Sequence, residues 1–216
     1  MTVCLDMALL RIGVMALAFA TGGCSIATLD MEVESRVPEP VVQPAPVALG
    51  VYYSEEFQNF IYVEQADDRK EWRIDNRAAR LALFDGVLSS MFDTVKRIDR
   101  EAVANGELSV DAILEPSVLD MQLALPQETG MEIYEAWVKY HIKLYRPGGT
   151  LIDQWQLTGY GKASPENVGG VEAGLNTAID LALRDVGAKM TLGFTKNQGV
   201  LNWLCEKQTC SGMTNN

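Results

Sequence analysis

Hydrophobic and polar positions alternate most strictly over residues 133–146, where Ala136, Val138, Tyr140, Ile142 and Leu144 are interleaved with Trp137, Lys139, His141, Lys143 and Tyr145. Period two sends successive side chains to opposite faces of a strand, so this run predicts a strand with one buried and one wet face. Runs at 112–125 and 151–160 predict strands on either side of it. Pro147-Gly148-Gly149 is a strong turn signal and makes the last two runs a long antiparallel hairpin. Pro116 falls early in its run, where a missing backbone donor is tolerated. Upstream, Ala48-Leu49-Gly50-Val51-Tyr52-Tyr53 predicts a first strand and residues 57–63 a short second one, followed by a charged, exposed loop from Glu64 to Lys70.

Two segments carry a helical period instead. After Asp75 or Asn76, either a good N-cap, apolar residues recur at Leu81, Phe84, Leu88, Met91, Phe92, Val95 and Ile98. That one-sided spacing predicts a helix ending near Asp99, with Arg77, Arg80, Asp85, Asp93, Lys96 and Arg100 on its solvated side. Asn105-Gly106 marks the turn beyond it. Ser164-Pro165 reads as an N-cap with proline in the first turn of a second helix, over residues 164–192. Its inner stripe is Val171, Leu175, Ile179, Ala182 and Val186, and the small residues Gly170, Gly174, Ala178 and Ala182 let it lie close on the sheet. A membrane Gly-x-x-x-Gly motif is excluded there by Glu172, Asn176 and Asp180. The expected fold class is α+β: an antiparallel or mixed sheet of three to five strands, with two long amphipathic helices packed on one face, in the order β-α-β-β-β-α.

The start of the chain has a different pattern. An apolar run from Ala8 to Ala20 ends in Thr21-Gly22-Gly23-Cys24-Ser25, which resembles a bacterial lipoprotein signal peptide with Cys24 as the lipidated residue. Thr21 departs from the branched aliphatic usual in a lipobox, whereas Gly22 and Gly23 meet its demand for small residues. Asp6 conflicts with a basic n-region, and initiation at Met7 removes the conflict. The apolar run is shorter than the roughly 20 residues that span a bilayer. Ser25 after the cysteine resembles an outer-membrane sorting signal. The domain reading is therefore 1–23 signal peptide, 24–47 lipidated cysteine and tether, 48–200 globular α+β domain, and 201–216 C-terminal tail. Within the tether, Pro38, Pro40, Pro44 and Pro46 favour extended polyproline II structure at about 3.1 Å per residue, a semi-rigid spacer.

Composition narrows the function classes. With 48% hydrophobic and 22% charged residues the chain can bury a real core, and processing would leave about 190 residues, enough for one domain and its tether. A net charge of -11 argues against nucleic acid, whose phosphates need clustered Lys and Arg. It also predicts repulsion from anionic headgroups, so the acyl chains would have to hold the protein at the membrane. Cys205 and Cys210 are expected to form a disulfide clipping the tail in an oxidising periplasm. No second cysteine pair exists to make them a metal site, and they do not form a Cys-x-x-Cys redox motif.

Candidate chemistry is sparse. His141 is the single histidine and lies between Lys139 and Lys143 on the polar strand face, where it reads as a surface residue and not as a triad member. Neither a Gly-x-Ser-x-Gly elbow nor a phosphate-binding glycine loop occurs, and no cofactor is expected. Aromatic side chains offer more: Tyr52 and Tyr53 at the first strand, with Trp137 and Tyr145 on the hairpin's wet face, form a candidate partner or ligand surface if they are exposed, although core and cross-strand packing is the favoured reading of them.

The segments Leu49-Gly50-Val51-Tyr52-Tyr53-Ser54 and Trp155-Gln156-Leu157-Thr158-Gly159-Tyr160-Gly161 look similar to uncharacterised proteobacterial lipoproteins. Placed behind a lipobox and a proline tether, the order of elements resembles small envelope lipoproteins with a fold like the TolB amino-terminal domain, a group that includes accessory lipoproteins of secretion and transport assemblies. The resemblance brings no functional residue with it except Cys24. It implies a lipid-anchored, non-enzymatic accessory subunit on the periplasmic side of the outer membrane, with an envelope protein or a second copy as partner. The alternative is a module that binds a lipid, glycan or other small ligand through an aromatic sheet face.

Overall fold

The computed structural model describes residues 29–36, 38–65, 71–99, 101 and 109–207. Cys24, Met7, the Asn105-Gly106 turn and Cys210 lie outside them. Five strands form the main sheet: β2 (Ala45–Tyr52), β5 (Phe92–Ile98), β6 (Ala112–Ala124), β7 (Tyr134–Tyr145) and β8 (Leu151–Ala163), in the spatial order β5-β2-β6-β7-β8. β2 runs parallel to both of its neighbours, while β6, β7 and β8 are antiparallel, so the sheet is mixed. A smaller sheet has the order β1-β4-β3, from β1 (Leu29–Glu32), β3 (Tyr62–Glu64) and β4 (Trp72–Asp75). The two long helices, α2 (Arg77–Met91) and α3 (Val171–Gly193), pack against each other and against the main sheet, as expected for this α+β class. Short helices α1 (Glu55–Asn59) and α4 (Gln198–Glu206) complete the chain.

The strict alternation in β7 becomes the core. Ala136, Val138, Tyr140, Ile142 and Leu144 are fully buried, whereas Trp137, Lys139, His141, Lys143 and Tyr145 stay half-exposed. Against that buried face, Phe84 of α2 meets Tyr140 edge-on at 5.3 Å between ring centroids, and Phe57 of α1 meets Phe84 at 5.6 Å. α3 lies unusually close to β8, because Gly159 and Gly161 present no side chain to it. A Cβ at Gly161 would stand 2.0 Å from the Ala178 carbonyl oxygen, and one at Gly159 would stand 2.1 Å from that of Ala182. The predicted row of small residues on α3 thus meets a second glycine row on the strand.

Four expectations are corrected. The first helix ends at Met91, not Asp99: the Phe92 N–H donates to the Leu88 carbonyl, and the chain then extends as β5 against β2. Thr94, Val95 and Ile98 are β-branched and suit a strand, and pairing from Ala45–Phe92 to Tyr52–Ile98 gives this backbone the hydrogen bonds a helix would have made. Residues 57–63 are not one strand. Ser54 caps α1 by accepting the Phe57 N–H at 3.1 Å, with Glu55 and Glu56 in the first turn, and only Tyr62–Glu64 is extended. Ser164-Pro165 opens a 3-10 turn (Pro165–Asn167), and α3 starts after Gly170, whose φ of 115° suits glycine.

Finally, residues 24–47 are not a free tether throughout. Met31 and Val33 are buried, β1 pairs in parallel with β4, and Ala45–Val47 already belong to β2. The strap after β1 is clamped to α3. Asn176 accepts the Glu34 N–H at 2.9 Å and donates to the Glu34 carbonyl at 3.1 Å, while Asp180 accepts from the Ser35 hydroxyl at 2.5 Å.

Candidate functional site

Among the described residues, the face of β6-β7-β8 turned away from α2 and α3 stays partly exposed along all three strands and is the candidate surface. Register fixes its rows: Glu115–Lys143–Gln154, Ser117–His141–Gln156, Asp120–Lys139–Thr158 and Gln122–Trp137–Tyr160. Opposite charges therefore face each other across the strands, as cross-strand pairing favours, and the face is polar without a strong field of one sign. At one end Trp137 and Tyr160 pack at 5.2 Å between centroids with their planes 35° apart. The Tyr160 hydroxyl donates to Glu135 Oε1 at 2.5 Å, and that bond raises the phenol's pKa above its ordinary value. Beside the ring pair is a notch of about 130 Å³ lined by Asp120, Gln122, Trp137, Lys139 and Thr158.

The four aromatic residues singled out in the sequence do not form one patch. Trp137 and Tyr145 share a face, but eight residues of strand separate them, roughly 27 Å. Tyr52 lies at the far end of β2, where it lines a cleft of about 840 Å³ with Ser54, Arg97, Glu115, Ser117 and Lys143. Tyr53 belongs to the core side: it is 7% exposed, its ring stacks on Phe57 at 5.3 Å, and its hydroxyl donates to Asp85 at 2.9 Å. Burial first, and then the Asp85 carboxylate, push its phenol pKa well above the ordinary range. Tyr53 is thus a structural residue, following Leu49 and Val51 in the alternation.

His141 has Ser117 and Gln156 as register partners, and the Ser117 hydroxyl donates to the His141 carbonyl at 3.3 Å. Among the described residues no group of three His, Cys, Asp or Glu side chains is placed to hold a metal ion, and no helix is long and apolar enough to cross a membrane. Cys205, near the end of α4, is disulfide-bonded; the expected partner, Cys210, is outside the described residues.

Several polar residues do more than their sequence context suggested. The outer edge of β8 would offer unpaired backbone groups to another strand, but α3 covers its middle. Asp185 accepts the Tyr160 N–H at 2.9 Å, and Lys189 donates to the Thr158 carbonyl at 2.7 Å and to Asp185 at 2.6 Å. Asp153 likewise accepts the Gly199 N–H at 2.8 Å and holds the start of α4. Arg80, expected on a solvated face, is fully buried: its guanidinium donates to Asn76 and, at 2.6 Å, to the Phe57 carbonyl, and lies 5.0 Å from the Phe57 ring centroid. Burial lowers its pKa, with partial compensation from nearby groups. No sequence signal marked it, because the carbonyl that receives it comes from the short helix α1, 23 residues away.

Comparison with known proteins gives a fold and no more specific identity. No protein-family model matches the chain, and no curated protein is significantly similar to it. Among solved structures it is similar to protein XCC0632 from Xanthomonas campestris, of the family DUF330, with 16% identity over 85% of this chain and 99% of that one and a TM-score of 0.55. A neuraminyllactose-binding hemagglutinin homolog from Helicobacter pylori matches with 11% identity over 82% of this chain and 99% of its own, TM-score 0.45. The PelC dodecamer from Paraburkholderia phytofirmans matches with 12% identity over 69% and 94%, TM-score 0.32. The chain thus shares its fold with an uncharacterised bacterial family; at these identities the likeness extends to fold alone.

Proposed function

We propose that this protein is an envelope lipoprotein, acylated at Cys24 and facing the periplasm from the outer membrane, that serves as a non-enzymatic accessory subunit of an envelope assembly. The TolB-like accessory lipoproteins that its order of elements resembles are the model for this role. The observation that carries the reading is the face of β6-β7-β8, which no described residue covers and whose side-chain hydrogen bonds and ring contacts among the described residues stay within the sheet. With the middle of the β8 edge already occupied by Asp185 and Lys189, a partner would meet the face and not extend the sheet at β8. A photo-crosslinker at Lys139 in intact cells should capture one reproducible envelope protein, and Trp137→Asp should abolish that capture. Recovery of no reproducible partner contradicts the role.

The notch beside Trp137 and Tyr160 favours a second reading, a small-ligand site in which an aromatic ring packs on an apolar ligand face while Lys139 and Gln122 bind its polar groups. Binding that saturates and is lost in Trp137→Ala, with the crosslinked partner retained, would select this reading.

A further inference from the structure

β1, the first described strand, lies at one end of the main sheet's strands, which determines what that end can face. β1 begins at Leu29, whose N–H donates to the Glu71 carbonyl at 2.9 Å, and β1 and β4 then run in parallel toward the body. After β1 the strap passes Asn176 and then Asp180, that is, from the N-terminal part of α3 toward its C-terminus. The entrance therefore lies at the end that also holds the start of α3, the start of β7 and the β6–β7 loop. Gly174 of α3 sits against the ring of Tyr134, the first residue of β7, which ties these parts together. The β7–β8 turn and α4 occupy the opposite end, about 40 Å away along the strands, where Arg146 pairs with Glu206 at 2.6 Å.

We infer that the entrance end is apposed to a lipid bilayer surface and that the end bearing the β7–β8 turn and α4 projects away from it. This rests on the acylation of Cys24 proposed above. Only Ser25–Thr28 separate Cys24 from β1, so a fully extended leash reaches about 18 Å. A tether of residues 24–47 in polyproline II form would have reached about 70 Å and left the domain free to turn. The pairing of β1 with β4 from Leu29 onward is what shortens the leash, and the clamp by Asn176 and Asp180 fixes the strap beyond it. The same end displays apolar side chains toward solvent: Met131 in the β6–β7 loop is 65% exposed, and Val171 at the start of α3 is 41% exposed. Pro126, Ile133 and Pro165 line a hollow next to Met131. Such side chains suit the headgroup boundary, and the short leash has to hold them there against the repulsion that Glu132 and Glu166, in the same hollow, meet from anionic lipid.

The test uses the full-length acylated protein, with its acyl groups verified by intact mass, in vesicles of phosphatidylethanolamine and phosphatidylglycerol carrying headgroup spin-labelled lipid. A fluorophore is attached at Met131→Cys or at Gly148→Cys, a turn position with open space around it. Quenching should be strong at position 131 and near zero at 148. Inserting about a dozen Gly and Ser residues after Thr28 should reduce quenching at 131 roughly twofold, because the r.m.s. reach doubles when the leash lengthens fourfold. An acylated protein quenched equally at both positions, or indifferent to the insertion, overturns the orientation and leaves the anchor standing. A mature chain with no acyl group overturns both.

Discussion

Adding one methyl group at Gly161 is the sharpest test of how α3 sits on the sheet. The new Cβ would lie 2.0 Å from the Ala178 carbonyl oxygen, 2.5 Å from the Ala182 nitrogen and 2.9 Å from the Leu181 Cβ. The first two atoms are an i and i+4 pair of the helix backbone, so the methyl group would press on a helical hydrogen bond and no side-chain rotation can relieve it. Ordinary contact requires the helix to move by more than 1 Å, because interiors packed at crystal density have no slack to give. That shift would lift Leu175, Ile179, Leu183 and Val186, all buried, from their partners on β7 and β8. Overpacking commonly costs 1–3 kcal/mol, and backbone against backbone belongs at the top of that range, so Gly161→Ala should destabilise by about 3 kcal/mol. For a domain of this size the melting temperature should fall by about 6–12 °C. Gly148→Ala, with nothing within 4 Å of the added Cβ, is the control and should stay within about 0.5 kcal/mol of the parent. Urea titrations of both variants, with unchanged m-values, give the comparison. A loss below about 0.5 kcal/mol for Gly161→Ala would refute the close approach of α3 to β8.

Arg80→Ala should cost about 3 kcal/mol in the same assay, since it leaves a cavity and removes the donor held by the Phe57 carbonyl; a neutral result would place the guanidinium in solvent. Asp111 accepts from Lys207 at 2.7 Å and from the Ala48 N–H at 3.0 Å, and these bonds, Lys207 first, hold its pKa below the ordinary value. Because the folded pKa is the depressed one, this stabilisation is present above the unfolded value of about 3.9 and is lost as pH falls through the folded pKa. Urea midpoints measured on acidification should therefore fall less steeply in Lys207→Met than in the parent, and identical slopes would contradict the pairing. Lys189→Ala with Asp185→Ala should expose the middle of the β8 edge and give concentration-dependent association in light scattering; a strictly monomeric double variant would show that the edge needs no cover.

Long regular elements were legible in the sequence because each carries its own period. β7 repeats its alternation over 12 residues and α3 its stripe over 23, so neither needs knowledge of a distant partner. β5 and β1 were not legible. Each is short, and each gains its hydrogen bonds from a strand about 45 residues away in the chain. The helical spacing that runs on through Phe92, Val95 and Ile98 is real as a pattern but yields to the open edge of β2. Arg80 was misplaced for a related reason: a charge beside an apolar stripe reads as solvated until the Phe57 carbonyl is seen above it. Tyr53, by contrast, could have been assigned from parity with Leu49 and Val51, and the pair Gly159 and Gly161, on one strand face, was a visible sign of close backbone approach. The open polar face was foreseen, whereas the dispersal of its aromatic residues depends on strand lengths and register.

Cys24 carries both the proposed anchor and the proposed role. Intact mass of the membrane-extracted protein, with Cys24→Ser in parallel, tests it directly. The expected mature chain begins at Cys24 and carries a diacylglyceryl group, and the serine variant should lose both the modification and the membrane fraction. A native chain recovered soluble and unmodified, or cleaved at another residue, would contradict the anchor and the function built on it.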